Sequence, residues 1–143
     1  MEHPNHYEIE QIGDIKNFVF AGSAIFTLES TLSGSWYTFK VEQSDKNDKM
    51  FFVSVLRGSD NTSSYTYLGL VINDEFRLTK NSKYGEEASC YKAFNFFFKD
   101  LMRMHIHSKL KFYHLGICSK CGRPLTTPES VKIGIGPICL SKM

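Results

Sequence analysis

Long apolar runs are absent from this chain, and nothing approaches the ~18–20 consecutive apolar residues that span a bilayer. A helical membrane anchor is therefore not expected. The opening Met1-Glu2-His3-Pro4-Asn5-His6 has neither the basic start nor the apolar stretch of a secretory signal. The expected location is the cytoplasm, a reducing milieu. Cysteine is scarce, four in 143 residues, and four thiols in such a compartment read as metal ligands plus a spare rather than as disulfides. Catalytic signatures are missing as well. There is no Gly-x-Ser-x-Gly, no glycine-rich phosphate cradle, and no His-x-Glu ahead of the Pro-Cys-x-x-Cys that a zinc deaminase uses. A non-enzymatic protein without a small-molecule substrate is expected. Acids are almost missing from the C-terminal end. Residues 101–143 hold seven Lys and Arg against Glu129 alone, a net of +6, while the first hundred residues hold ten cations and fourteen acids, a net of −4. Neither repeats nor heptads nor low-complexity segments interrupt the chain.

Aromatic residues are plentiful, twelve Phe and seven Tyr, enough for one ordinary core. Residues 1–11 are polar and read as loosely ordered. From Asp14 to Ala21, Ile15, Phe18 and Val19 recur at helical spacing, although Phe18-Val19-Phe20 suits a strand equally well. Strands are expected over residues 24–29, 35–42, 50–56, 65–72 and 75–79. They are separated by turn clusters at Ser30–Gly34, Ser44–Lys49, Gly58–Asn61 and Asn73-Asp74. On the second of these strands Trp36, Thr38 and Lys40 alternate with Tyr37, Phe39 and Val41. The pattern then becomes helical over residues 88–104, with Tyr91, Phe94, Phe98, Leu101 and Met102 on one stripe and Ser89 as the cap. A connector, His105 to Tyr113, follows. The expected fold is α+β, an antiparallel sheet covered by a long helix, with a body over residues 1–104 and a treble-clef-like zinc ribbon over 105–143.

That ribbon is read from Cys118-Ser119-Lys120-Cys121-Gly122 and Gly134-Ile135-Gly136-Pro137-Ile138-Cys139. A Cys-x-x-Cys followed by glycine brings two thiolates to one ion, because the intervening turn is tight and Gly122 accepts a left-handed backbone. Gly136 and Pro137 read as the cap and first residue of a short helix that presents Cys139. A structural zinc wants four ligands, so one more donor is needed. His114 is nearest in sequence, and a short connection closes at the lowest entropic cost. His105, His107 and Cys90 are the alternatives, Cys90 reading better as a core residue.

The same stretch, Cys118 to Thr126, Pro128-Glu129-Ser130 and Gly134 to Cys139, resembles a zinc-ribbon-like domain of unknown function found at the C-termini of bacteriophage, prophage and plasmid proteins. Residues 18–30 and 52–69 are similar to the body of those proteins, Ser59 standing where they often carry Pro. The resemblance implies a histidine ligand at the position of His114 and implies little about activity.

Two functions compete. The basic end can meet nucleic acid through Lys109, Lys111, Lys120, Arg123 and Lys132, with Trp36, Tyr37, Phe39, Tyr65 and Tyr67 as potential base-stacking residues, unless these are merely packed. Alternatively the protein engages a host protein or nucleoprotein, as an anti-defence factor would. Arg57, Asp60 and Asn61 gather at one turn, which an Asp-Asn turn bonding its own backbone explains without catalysis.

Overall fold

A computed structural model describes residues 7–57 and 64–142. The N-terminal hexapeptide and the Asp60-Asn61 turn therefore lie outside the described residues. The elements in chain order are β1 (Tyr7–Glu8), α1 (Ile12–Val19), β2 (Ser23–Ser30), β3 (Trp36–Gln43), β4 (Met50–Leu56), β5 (Tyr65–Ile72) and β6 (Glu75–Arg77). There follow α2 (Ser89–Met102), β7 (Leu110–His114), α3 (Pro128–Ile133) and α4 (Pro137–Ser141). The strands form one antiparallel sheet ordered β1-β7-β2-β3-β4-β5-β6, so the α+β class holds. No helix among the described residues is long and apolar enough to cross a membrane.

Strand alternation builds the core. Ala24, Phe26 and Leu28 of β2, Phe39 and Val41 of β3, and Phe51, Val53 and Val55 of β4 are all buried on one face. Helix α2 lays Phe94, Phe97, Phe98 and Leu101 against that face. Phe97 meets Phe26 and Phe112 at centroid distances of 5.7 and 5.9 Å, and Phe94 meets Phe39 at 5.3 Å. Helix α1 adds Ile15, Phe18 and Val19 to the same core. Helical packing, not the strand propensity of Phe18-Val19-Phe20, decides that segment.

Glycine has a specific use in β5. The register shifts at Val53/Ser54, which accommodates one extra residue of β5 and turns Gly69 toward the core side. A Cβ on Gly69 would lie 2.8 Å from both the Phe76 ring and the Arg77 carbonyl. The bare backbone lets Phe76 reach α2, 4.7 Å from Phe94 and 5.5 Å from Tyr91. The Asn73-Asp74 turn carries φ values of 51° and 63°, the left-handed pair that a two-residue hairpin needs.

Two expectations are corrected. Helix α2 has 14 residues, about 21 Å, an ordinary rather than a long helix, and its cap is Ala88 with no side-chain bond, not Ser89. The supposed connector contains β7, a strand inside the sheet between β1 and β2.

Phe94→Ala is expected to cost about 3–5 kcal/mol in urea denaturation, because the void opens among four neighbouring rings, those of Phe39, Phe76, Phe97 and Phe98. Phe96→Ala, on the same helix but 53 % exposed, is expected to change stability by about 0.5 kcal/mol or less.

Candidate metal centre

Strand β7 delivers the chain to the cysteines. Past His114, Gly116 at φ 87° turns the backbone into a short hairpin, closed by an Ile117–Pro124 bridge. Within it the Cys118 N–H donates to the Arg123 carbonyl at 2.8 Å and the Gly122 N–H to the Cys118 carbonyl at 2.8 Å. Gly122 is left-handed, φ 79°, as the knuckle reading requires. Thr127 then caps α3, its hydroxyl accepting from the Ser130 N–H at 3.3 Å, and Gly134 ends that helix at φ 75°. Gly136 caps α4, with Pro137 first and Cys139 third in the helix.

The assembly is fastened to the body beside β2. Ser23 N–H donates to the Ser119 carbonyl at 2.7 Å, and Ser119 N–H to the Gly134 carbonyl at 3.0 Å. Gly134 lies so close to Phe18 and Ile9 that a Cβ there would overlap the Phe18 ring. Ala21, Cys118 and Ile135 form a small core with Leu125, Ile133 and Cys139 at its margin. The module thus ties to α1, β1 and the start of β2.

Cys118, Cys121 and Cys139 place their sulfurs within 4.8 Å of one another, so the three can hold a metal ion. Tetrahedral coordination at about 2.3 Å separates sulfurs by about 3.8 Å, so a closure of about 1 Å or less completes that part of the shell. Cys118 is buried, Cys121 exposed and Cys139 half-buried. The Lys120 and Gly136 N–H groups point at Cys118 Sγ at 3.4 and 3.3 Å. Burial pushes the Cys118 thiol up, but the Gly136, Cys121 and Lys120 amides and the Cys121 side chain outweigh it and bring it down to about 7. The Cys139 thiol moves the other way, to about 11, held protonated by its bond to Cys121, by burial and by Cys118. Three adjacent sulfurs cannot all carry charge without a cation among them. The backbone donors are invisible to sequence reading. Gly-x-Gly-Pro signals a helix cap, but not an amide aimed at a sulfur eighteen residues back.

His114 does not join the cluster. It is fully buried, its Nδ1 accepting from the Gly116 N–H at 3.0 Å and its Nε2 2.7 Å from the Val131 carbonyl. Nδ1 accepts, so the proton sits on Nε2 and donates to Val131. Both nitrogens are spent on backbone, and the ring packs 5.4 Å from Phe18. Sequence proximity placed it near the sulfurs, but strand alternation turns it into the core. Of the alternatives, Cys90 is buried in α2, and the exposed His107 caps the Lys109 N–H through Nδ1. Exposed His105 does not join the three sulfurs either.

The five cations are distributed unevenly. Lys120, Arg123 and Lys132 are exposed on the module, and so is Lys142. Lys109 is exposed but lies at the far end of β7, about 17 Å away along the strand. Lys111 pairs with Glu8 at 3.5 Å. Among the sheet aromatics Phe39 is core, and Tyr37 packs against the core. Trp36, Tyr65 and Tyr67 are half-buried on the helix-free face, where Lys40 lies over Tyr65 at 5.5 Å and Tyr67 accepts from the Thr79 hydroxyl at 3.2 Å.

Burial lowers the His114 pKa below 6.5, against a smaller opposing effect of the Val131 bond. The unfolded chain then takes up a proton before the folded one does. Stability is intact above 6.5 and is lost as pH falls below it. At a pH of about 7, nitrogen NMR is expected to show His114 as the neutral Nε2–H tautomer. An imidazolium signal at that pH would contradict this geometry.

Residues 109–143 match the model of a family of unknown function (DUF6011). No curated protein and no solved structure matches the chain. The matched stretch comprises β7, the knuckle, α3 and α4, the segment in which the three sulfurs converge.

Proposed function

We propose that this is a small zinc-binding accessory protein of a phage or mobile element, acting in the host cytoplasm, in which a structural zinc ribbon binds nucleic acid. The convergence of Cys118, Cys121 and Cys139 carries the reading. Zinc suits the donor set, since soft thiolates in a tetrahedral pattern favour it over the oxygen-seeking cations. The backbone donors on Cys118 disperse the charge of the thiolate, a role consistent with structure rather than turnover. Nucleic acid is favoured by the exposed Lys120, Arg123, Lys132 and Lys142, with Glu129 the module's single acid. The phage assignment rests on the sequence resemblance.

Chelation is expected to speed amide exchange across residues 117–142 before it touches β2 to β5. Metal analysis should give one zinc per chain, lost in Cys121→Ser. A chain that carries no stoichiometric metal would end the reading. For nucleic acid, fluorescence anisotropy with a labelled duplex is the measure. If three phosphates are engaged, raising salt from about 50 to about 200 mM should weaken binding about forty-fold. The triple variant Lys120→Ala, Arg123→Ala, Lys132→Ala should flatten that dependence.

A second reading, a host-protein partner, is favoured by Ile138 and Leu140 on α4, which are 66 % and 43 % exposed. A nuclease-resistant, stoichiometric protein complex, with no duplex binding at low salt, would select it over the first.

A further inference from the structure

Resting on the metal reading above, we propose that the ion in this centre is held by three cysteines of the chain and takes its fourth ligand from outside, a thiolate that displaces a bound water. Three observations converge. Among the described residues only Cys118, Cys121 and Cys139 bring donor atoms together. The imidazole nearest in sequence, His114, has both nitrogens committed to backbone. The sulfurs also do not face a closed interior. They line a surface cavity of about 290 Å³ whose other walls include Leu125, Pro137, Ile138, Arg123 and Lys142.

The lining dictates the ligand class. A divalent ion with three thiolates has a net charge of −1, which by itself discourages another anion. Arg123 and Lys142 stand on the rim of the same cavity and offset that charge. The apolar walls exclude water from the side of an incoming group, so a soft donor on a short apolar stem fits better than a carboxylate. Thiolate is the donor with those properties. On exchange the metal–sulfur bond forms as the metal–water bond breaks, the incoming thiol gives its proton to buffer, and no electrons change hands. A small free thiol and a cysteine side chain of a partner share this chemistry.

Cobalt(II) replaces zinc in such sites and reports the donor set in its visible spectrum, so the test is made on the full chain loaded with cobalt. 2-Mercaptoethanol and a short peptide with one cysteine are each titrated in. A saturable, one-to-one spectral change is expected. Response to the free thiol alone assigns a small-molecule ligand, and response to the peptide assigns a partner's side chain. His114→Gln is expected to leave the resting spectrum unchanged. If that variant alters the spectrum, the fourth donor is internal and the proposal falls. It falls equally if neither thiol produces a saturable change. Failure of the protein to bind cobalt or zinc at all would instead overturn the metal reading beneath it, so the two failures are distinguishable.

Discussion

The backbone pairing of β7 governs the placement of everything after residue 109. It hydrogen-bonds on both edges, to β1 at Tyr7 and Glu8 and to β2 from Phe26 to Ser30. The register sets Phe26 opposite His114, so Phe112 and His114 point into the core while Lys111 and Tyr113 point away. A slip of one residue would expose Phe112 and bury Lys111. The chain therefore leaves the sheet at one place and in one direction, and the knuckle begins where β7 stops. The module's orientation is a property of the sheet, and a metal ion adds to an arrangement already constrained by Ser23, Phe18 and Ile9.

Within that frame the three sulfurs are chemically unequal. Cys118 is buried and supplied with N–H donors, so it is ready to ionise. Cys139 is kept protonated by its neighbours. A divalent cation removes the conflict by rewarding all three ionisations at once. The fold contributes proximity and the cation contributes charge. Neither suffices alone.

What could be read from the chain was local. Strands β2 to β5 follow from alternation over seven or eight residues, and the Asn73-Asp74 turn and the Gly136-Pro137 start follow from chemistry within a few positions. Three thiols at knuckle spacing were legible for the same reason. Strand β7 was missed because it is five residues long, carries a lysine and a histidine, and owes its existence to partners some eighty residues away. The inward placement of His114 was illegible for the same reason, since distance along the chain says nothing about which face of an unrecognised strand a side chain occupies. Phe97 escaped the helical stripe because the buried face of α2 is wider than one line of contacts.

Among the described residues the two rims of the sheet are short: β1 has two residues and β6 has three. Short borders leave little exposed backbone for another molecule to add onto, a recognised defence against self-association. On one side that defence rests on Tyr7 and Glu8 among the described residues. Behind β1 stands β7, longer, with Phe112 and His114 on its inner face. A cleavage or deletion that removed Tyr7 and Glu8 would uncover a strand border suited to intermolecular pairing, so this thin first strand guards the molecule against polymerising through its own interior.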